Sequence, residues 1–331
     1  MPEYKPVPLP PLRDLNDDNI TENTIIVNNQ SPSPRLRYVF ARLVTHLHDF
    51  ARETRLSSDE WMAAIEFLTA VGQICSETRQ EFILLSDVMG LSCLVDVMNH
   101  PKPAGATSGT VLGPFHTHDA LEFSQGESIC SEGKGEPALV SITIKDTAGR
   151  PIEGVAVDIW ETDETGHYDT QYADREGPDC RGILKSNEKG EIVFKAIRPV
   201  PYPIPHDGPV GKLLEKLGRH PYRPSHMHFK FDKPGYDELV TSLYLRGDPY
   251  ETTDAVFGVK SSLILDLKKI EDAELAKTHD LKVDDYLITY DFVLVTDEEA
   301  KTLKIKNAEE ALKKLGVTAL VVEGLPIDAL D

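Results

Sequence analysis

Two histidines at alternate positions of a strand-like segment are the residues of this sequence best placed to bind a metal ion. They are His226 and His228, in the segment RPSHMHFKF at 223–231. Side chains of a strand alternate between its two faces, so both imidazoles lie on one face with Lys230, and the apolar residues between them face a core. The two imidazoles are then about 7 Å apart along the strand and can converge on one metal ion.

Two further His-x-His pairs occur in the chain. His46 and His48 lie in a helical segment, where residues two apart face nearly opposite directions, so we do not expect them to share a metal. His116 and His118 lie in a loop, which constrains their geometry little. One alternative therefore stays open at this point: a zinc or copper enzyme whose site combines this loop pair with the strand pair.

The composition argues against some classes of function. The chain has 331 residues, of which 40% are hydrophobic and 27% charged, and a formal net charge of −20. Nucleic acids and anionic membrane surfaces attract clustered Lys and Arg, so neither is an expected partner. The four cysteines show no Cys-x-x-Cys spacing, no basic and apolar leader begins the chain, and no apolar run is long enough to span a bilayer. We therefore predict a cytoplasmic protein with free thiols and no membrane span.

The hydrophobic pattern divides the chain into four parts. Residues 1–34 are rich in Pro, Asn and Asp and are expected to form an extended arm with at most one short helix. Residues 35–104 carry apolar stripes at helical spacing, which predicts a helical layer. Residues 105–296 contain several short alternating segments separated by turns, which predicts an antiparallel β-sandwich, and residues 297–331 form a tail with a short helix. The predicted fold class is mixed and mainly β.

Two long stretches without a clear pattern, 161–190 and 200–222, interrupt the predicted sandwich, and loops of this length are usually functional. Each contains a tyrosine in an unusual setting. Tyr168 follows the end of a predicted strand, and Tyr202 lies in a Pro-Tyr-Pro segment whose prolines restrict the backbone on both sides. Taken singly, each tyrosine is most simply explained as an amphipathic packing residue.

Three motifs, by their order and separation, resemble those of a known family. GHY at 166–168, PYP at 201–203 and RPSHMHF at 223–229 are similar to the motifs of the intradiol ring-cleaving dioxygenases, and the similarity extends from about Leu36 to Leu294. Within this family the chain is most similar to the hydroxyquinol 1,2-dioxygenases and to the fungal catechol 1,2-dioxygenases. The resemblance implies a catalytic sandwich domain that holds non-haem Fe(III) through Tyr168, Tyr202, His226 and His228.

The resemblance also implies a reaction. An intradiol dioxygenase uses O2 to cleave a small aromatic diol or triol between its two hydroxylated carbons, and the product is a cis,cis-muconate. Ferric iron is a hard cation that favours anionic oxygen, which two phenolates supply. Tyr202 would leave the metal when the ring binds and accept a substrate proton. Arg223, which on frequency alone would be a surface cation, would stabilise negative charge beside the ring.

A substrate pocket is implied by the same resemblance, with hydroxyquinol (1,2,4-trihydroxybenzene) and catechol as the two candidate substrates. Its residues are Leu84, Asp87, Val111, Leu112, Gly113, Pro114, Phe115, Ile204, Pro205, Arg223 and Val256. Asp87 has two open interpretations: an acceptor for a third ring hydroxyl, or the N-terminal cap of a following helix. Two positions depart from the family pattern. His116 stands where an aromatic or apolar residue is more usual, and Ser242 stands where many catechol-cleaving members have glutamine.

Partners follow from the resemblance as well. Family members dimerise through the helical layer, often with a bound lipid, so we expect a homodimer with a phospholipid site in residues 35–104. A different class stays open as an alternative: a prealbumin-like sandwich that acts as a carrier or spacer and needs no metal. The four ligand positions favour the enzyme, because a spacer would have no use for them.

Overall fold

The computed structural model describes residue 9 and residues 14–76 and 79–328. Within it the chain packs as two compact units, Met1–Leu68 with Lys301–Asp331, and Thr69–Ala300. Most of the first thirteen residues of the predicted N-terminal arm, and the last three residues of the predicted tail, lie outside the described residues. The part of the arm that is described contains one short helix.

Eight α-helices occur in the described part of the chain. They are α1 (Ile20–Asn28), α2 (Pro34–Thr54), α3 (Ser58–Ile74), α4 (Glu81–Val88), α5 (Leu91–Asn99), α6 (Pro209–Lys216), α7 (Ala273–Thr278) and α8 (Asp297–Leu315). The start of α3 is fixed by a capping box, because Ser57 Oγ accepts from Glu60 N–H at 3.2 Å and Glu60 Oε2 accepts from Ser57 N–H at 2.9 Å. Helices α2 to α5 confirm that the chain is helical in the predicted range 35–104.

Thirteen β-strands occur in the same described ranges. They are β1 (Pro137–Asp146), β2 (Ala156–Trp160), β3 (Arg181–Lys185), β4 (Glu191–Ile197), β5 (Tyr202–Pro203), β6 (Tyr222–Arg223), β7 (His226–Asp232), β8 (Leu239–Leu245), β9 (Ile264–Leu265), β10 (Lys268–Lys269), β11 (Tyr286–Leu294), β12 (Leu320–Val322) and β13 (Leu325–Ile327). The first unit contains the hairpin of β12 and β13, which contacts α2.

Two larger sheets form the second unit, with strand orders β10-β11-β1-β4 and β3-β2-β7-β8-β9. Most neighbouring strands are antiparallel, but β1 with β11 and β8 with β9 are parallel. The prediction of a purely antiparallel sheet structure was wrong at these two pairs. Alternating hydrophobicity places residues on a face without giving strand direction, and a parallel pair needs a long connection that no local pattern reveals.

One hydrophobic cluster draws buried side chains from both larger sheets. From the four-stranded sheet it takes residues such as Val140 and Ile142, and from the five-stranded sheet it takes Met227, Phe229 and Phe231. The latter three are the residues between and beyond the two histidines of β7, so the predicted face assignment of this strand is confirmed. The apolar face of β7 therefore packs in this cluster, and His226 and His228 lie on the opposite face of the strand.

The two stretches without a clear pattern contain regular structure that the sequence did not predict. Strand β3 lies within 161–190, and helix α6 lies within 200–222. Helix α8 is also longer than the short helix expected in the tail. Every helix in the described ranges is too short or too polar to cross a bilayer.

Candidate functional site

Strand β7 brings two imidazoles together at one buried point. Its neighbours are β2, which places Trp160 opposite His228, and β8, which places Tyr244 opposite His226 and Ser242 opposite His228. Both histidines are almost fully buried, and their Nε2 atoms are 3.0 Å apart. The sequence predicts a spacing of about 7 Å between the two residues along the strand. Their side chains lean towards each other, which brings the ring nitrogens within 3.0 Å.

Two tyrosines reach the same point from separate segments. Tyr168 precedes a short 3-10 turn, where its backbone N–H donates to Gln171 Oε1 at 2.8 Å. Tyr202 lies in the two-residue strand β5, directly opposite Arg223 of β6. Gly166 permits the segments to approach, because its φ is +81° and an added Cβ would lie 3.0 Å from Tyr202 Cβ.

The structure places all four proposed ligand side chains around one locus. The Oη atoms of Tyr168 and Tyr202 are 3.2 Å apart. The ring of Tyr202 lies 5.4 Å from that of His226, and the ring of Tyr168 lies 6.4 Å from that of His228, between centroids. Each of the four residues is at most 3% exposed, so the locus is shielded from water.

This donor set fits a hard cation of high charge. Two ligands that bind one cation at about 2.1 Å and at a right angle lie about 3 Å apart, which is the separation seen for both the nitrogen pair and the oxygen pair. Phenolate oxygen suits a hard trivalent ion, and imidazole suits iron as well as zinc and copper. The residues present therefore fit ferric iron.

Protonation in the protein favours neutral imidazoles. Burial lowers the pKa of His226 to about 3, and the nearby Arg223 contributes in the same direction. Burial also holds the pKa of His228 well below its usual range, with further lowering from His226. Burial raises the pKa of Tyr168 well above its usual range, and Tyr202 adds to this, so an ionised phenolate at Tyr168 requires a nearby positive charge.

Arg223 is buried at this site and is not the surface cation that frequency alone would suggest. Its Nη1 lies 3.0 Å from His226 Nε2 and 3.5 Å from Tyr202 Oη. Asp254 accepts from Arg223 Nε at 3.1 Å and from Nη2 at 3.4 Å. Burial opposes the charge of Arg223, but Asp254 and the adjacent tyrosines keep its pKa well above the usual value. The guanidinium is therefore a fixed positive charge directed at the site.

A second buried ion pair, which the sequence did not predict, supports the wall beside Tyr168. Arg181 hydrogen-bonds both carboxylate oxygens of Asp169, and it also donates to Thr117 Oγ1 at 2.8 Å and to the Phe115 carbonyl at 3.1 Å. The Phe115 ring stacks on Tyr168 with centroids 4.6 Å apart. Arg181 thus joins the segment of Tyr168 to the loop that packs against it.

The pocket residues expected from the resemblance lie in two groups. One cavity of about 560 Å³ is lined in part by Asp87, Val111, Leu112 and Gly113. A second cavity of about 690 Å³ is lined in part by Pro114, Phe115, Ile204 and Pro205. Leu84 and Val256 are buried and line neither cavity. The loop 111–115 contributes to both cavities, and an added Cβ on Gly113 would lie 3.9 Å from His228 Cε1, so this loop adjoins the locus of the four proposed ligands.

Asp87 does not cap a helix. It lies in the last turn of α4, and the residue that precedes α5 is Gly90, which makes no side-chain cap. The Asp87 carboxyl is buried, and burial raises its pKa, although a hydrogen bond from Ser92 and the charge of Arg223 oppose this. The capping interpretation is therefore wrong, and the interpretation as an acceptor for a ring hydroxyl stays a prediction.

The loop histidines do not join the strand histidines. His116 Nε2 lies 2.7 Å from Asp158 Oδ2, and its ring contacts Trp160 edge-on at 4.9 Å. Trp160 in turn stacks on His228 with centroids 4.7 Å apart, so its ring lies between those of His116 and His228. In the described part of the chain, no group of three or more His, Cys, Asp or Glu side chains is placed to hold a metal. The arrangement gives no support to a His-rich zinc or copper site.

Comparison with known proteins agrees with this geometry. A family model described as "Catechol dioxygenase N terminus" matches residues 33–107, and one described as "Dioxygenase" matches residues 111–296. Together they define a ring-cleaving dioxygenase with a helical N-terminal part. The chain belongs to the intradiol ring-cleavage dioxygenase family, as its relatives show.

One relative, "Intradiol ring-cleavage dioxygenase hqdA" of Aspergillus niger, is 62% identical over 98% of both chains. A 6-chlorohydroxyquinol 1,2-dioxygenase of Cupriavidus pinatubonensis is 45% identical over 86% of this chain and 99% of the relative. A catechol 1,2-dioxygenase of Candida albicans is 36% identical over 88% of this chain and 95% of the relative.

Among solved structures, hydroxyquinol 1,2-dioxygenase from Pseudomonas putida has a TM-score of 0.79 and 39% identity, and the match covers 85% of this chain and 99% of that one. Catechol 1,2-dioxygenase from Acinetobacter radioresistens has a TM-score of 0.75 and 27% identity over 86% and 95%. The mixed helix and sheet fold of these enzymes is the fold of this chain. The prediction of an intradiol dioxygenase is confirmed, and the alternative of a non-catalytic sandwich was wrong.

Proposed function

We propose that this chain binds one ferric iron through Tyr168, Tyr202, His226 and His228 and cleaves hydroxyquinol in preference to catechol. The convergence of two buried phenols and two neutral imidazoles carries the assignment of the metal. Two phenolates and one further anion would balance the three positive charges of the metal, which matters because a buried net charge is costly. When bound, Fe(III) would supply a site for the two ring oxygens and the redox chemistry needed to use O2.

Protein groups around the metal have separate tasks in this proposal. Tyr202 accepts the proton of a ring hydroxyl at its Oη. Arg223, 3.5 Å from that oxygen, keeps a positive charge beside the ring and stabilises the negative charge that develops there. Burial of the four ligands and of Arg223 excludes water, which strengthens both effects.

Substrate preference rests on Asp87. It places a buried carboxyl in a cavity whose lining includes the apolar side chains of Val111 and Leu112. A third ring hydroxyl would donate to this carboxyl, whereas a catechol ring would leave it without that partner, and an unpaired buried polar group is costly. The relatives that are named hydroxyquinol dioxygenases match this chain at higher identity than the Candida catechol enzyme does.

The first experiment measures metal content and colour. Purified protein should contain about one iron per chain and absorb visible light, because tyrosinate bound to ferric iron is coloured. Tyr202→Phe should retain iron, shift the band and lose nearly all turnover. Tyr222→Phe is the matched control, since Tyr222 lies on the adjacent strand and its ring stacks on Tyr250 rather than on the site. A colourless protein that takes up no iron contradicts the proposal, as does full activity of Tyr202→Phe.

The second experiment measures the ratio of kcat/KM for hydroxyquinol to that for catechol. Asp87→Asn should reduce this ratio by about tenfold or more, since one hydrogen bond to a charged group contributes roughly 1.5–3 kcal/mol. Activity on catechol serves as the internal control for folding. An unchanged ratio would assign the preference to other pocket residues.

The helical part has a proposed role in assembly. We assign residues 1–34 to an arm, 35–104 to a helical dimerisation domain, 105–296 to the catalytic domain, with its two sheets facing each other as a sandwich, and 297–331 to a tail. Several large apolar side chains of α2 and α3 are exposed in the single chain, among them Phe40, Leu43, Leu47, Trp61 and Ile65. A second copy of the chain and a phospholipid would cover them.

Light scattering coupled to size exclusion tests this assembly. The wild-type chain should have the mass of a dimer, and Leu43→Glu should shift it to a monomer. Arg42→Glu is the control: it introduces the same glutamate at the adjacent position of α2, which already carries a polar residue, and it should leave the dimer intact. A monomeric wild-type protein, or lipid extracts without phospholipid, would each overturn the corresponding part of the proposal.

A further inference from the structure

The indole of Trp160 contacts two imidazole rings. It stacks on the proposed ligand His228 with an interplanar angle of 3°, and the ring of His116 meets it at 66° with centroids 4.9 Å apart. Trp160 is fully buried, and its Nε1 has no hydrogen-bond acceptor among the described residues. Ring contacts, rather than a hydrogen bond of its own, therefore set the orientation of this indole.

The orientation of Trp160 matters for His228. An imidazole binds a metal through a lone pair in the plane of its ring, so the groups around it must fix that plane. Ser242 Oγ, 2.9 Å from His228 Nδ1, is a contact with one atom of the ring. The indole covers the face of the ring and so fixes the plane itself.

His116 is held in place by a carboxylate on the strand that carries Trp160. Asp158 and Trp160 are two residues apart in β2, so their side chains leave the same face of the strand. His116 Nε2 donates to Asp158 Oδ2 at 2.7 Å, and the His116 side chain is only 7% exposed. A hydrogen bond to a carboxylate is one of the stronger kinds, so the imidazole is fixed over this face of β2.

Asp158 has no competing partner. The residue opposite it on β7 is Lys230, whose Nζ pairs instead with Glu238 Oε2 at 2.9 Å. Within the ranges that the structure describes, His116 is the one side chain that bonds the Asp158 carboxylate. Holding His116 is therefore the contact that Asp158 makes on this face.

The loop around His116 is anchored independently of it. The Phe115 ring stacks on Tyr168, and Thr117 Oγ1 accepts from Arg181 at 2.8 Å. The Phe115 carbonyl accepts from Arg181 as well, at 3.1 Å. Replacing the His116 side chain thus leaves the backbone of the loop attached on both sides, and its effect is confined to the indole.

We propose that His116 is a positioning residue that keeps Trp160 stacked on His228. Asp158 fixes the imidazole of His116, the imidazole restrains the indole, and the indole fixes the plane of the proposed ligand. The inference rests on the proposed iron site, and His116 has no role in it as a ligand. It also gives a use to the departure at this position, where the resemblance leads us to expect an aromatic or apolar residue: a histidine supplies a ring and a bond to β2 together.

The first measurement is the rate at which iron leaves the holoenzyme in excess chelator. His116→Leu removes the ring and its hydrogen bond, so it should speed iron loss by about 3–10-fold, the value of one aromatic contact. Asp158→Ala should speed it in the same direction, whereas Asp158→Asn keeps an acceptor oxygen and should stay near the wild-type rate. The double variant should lose iron no faster than His116→Leu alone, because Asp158 acts only through His116.

The second measurement is fluorine NMR of the full chain, labelled with fluorotryptophan and freed of iron by the chelator. The chain has two tryptophans, Trp160 and the exposed Trp61, so two resonances are expected. Asp158→Ala should shift the Trp160 resonance and leave that of Trp61 unchanged, and Asp158→Asn should shift neither. This readout follows the indole without relying on activity or on bound metal.

His220→Leu provides the matched control for the loss of iron. His220 Nε2 lies 2.9 Å from Thr253 Oγ1, and its ring lies 5.0 Å from that of Tyr250, so the variant removes a similar hydrogen bond and ring contact away from Trp160. It should lose iron at the wild-type rate. Unfolding midpoints are recorded for every variant, and the comparison of Asp158→Ala with Asp158→Asn carries the test if His116→Leu does not fold.

The outcomes separate this inference from the proposed function. If the holoenzyme contains iron, and Asp158→Ala matches the wild type both in iron loss and in the Trp160 resonance, the positioning role is wrong and the iron site stands. If the wild-type protein neither contains nor takes up iron, the proposed function fails, and an unshifted Trp160 resonance would overturn the action of Asp158 on the indole separately.

Discussion

Replacing Asp254 with asparagine removes the counter-charge of the buried Arg223. Asp254 is 5% exposed, and besides Arg223 its oxygens accept from the backbone N–H groups of Val256 at 3.3 Å and Gly258 at 2.9 Å. All of these partners are donors. An asparagine there has one acceptor oxygen and one NH2 group. The NH2 group would face another donor, and the side chain would carry no charge.

The magnitude follows from the burial of both partners. The side chains of Arg223 and Asp254 are 3% and 2% exposed. Removing one member of a buried ion pair leaves an uncompensated charge and typically costs about 3–5 kcal/mol, because low dielectric surroundings cannot solvate it. An exposed pair contributes about 0–1 kcal/mol. We therefore expect Asp254→Asn to reduce the free energy of unfolding by about 3 kcal/mol and also to lower kcat/KM, since the guanidinium loses its fixed orientation.

Chemical denaturation at constant pH measures this loss. Asp266→Asn is the matched control, because Asp266 pairs with Arg246 at 2.8 Å with both side chains more than half exposed. A double-mutant cycle with Arg223→Met should show that the two losses are not additive, since removing the cation relieves the unpaired charge. The reasoning is refuted if Asp254→Asn costs no more than Asp266→Asn, or if the cycle is additive.

Three further predictions concern other buried groups of the catalytic unit. Gly258→Ala should lower the free energy of unfolding by about 1–3 kcal/mol, because a Cβ there would lie within 2.9 Å of three polar side-chain atoms; denaturation curves would contradict this if they overlay those of the wild type. Burial raises the pKa of Glu161 from 4.5 to about 8, so the folded protein keeps a proton that the unfolded chain releases, and stability should fall as pH rises between these values. The slope for one proton is up to about 1.4 kcal/mol per pH unit, and Glu161→Gln should remove it; an identical pH dependence in the variant would exclude this group. Arg181→Lys keeps the charge but cannot bond Asp169, Thr117 and the Phe115 carbonyl together, so it should raise KM more than it lowers kcat. An unchanged KM would show that these hydrogen bonds of Arg181 do not shape the pocket.

Local patterns in the sequence were enough for the elements and for the ligand candidates. Apolar stripes at helical spacing predicted the helices of 35–104, and alternation predicted β7 with its histidine face. The tyrosine and histidine motifs, by their types and order, indicated the family. These features depend on residues close together in the chain, where a short period or a proline restricts the backbone directly.

Such local patterns do not predict which distant segments of the chain pair with each other. Two parallel strand pairs, strand β3 and helix α6 appeared only in the structure. That Asp87 does not cap a helix was likewise visible only from where α4 ends. The sequence pattern of a helix cap and that of a buried acceptor are alike, because each is a short polar residue beside an apolar run.

The sequence by itself determined which side chains could bind iron: two phenols and two imidazoles in a recognisable order, with the histidines on one face of a strand. Only the tertiary structure decided how those side chains are held. Thr110 and Gly258 are 148 positions apart, yet Thr110 Oγ1 donates a buried hydrogen bond to the Gly258 carbonyl at 2.9 Å. Arg223 likewise donates a hydrogen bond to Asp254, which lies 31 positions away in the chain. Hydrogen bonds of this kind depend on the fold that buries both partners, since in water either group would bond to solvent instead.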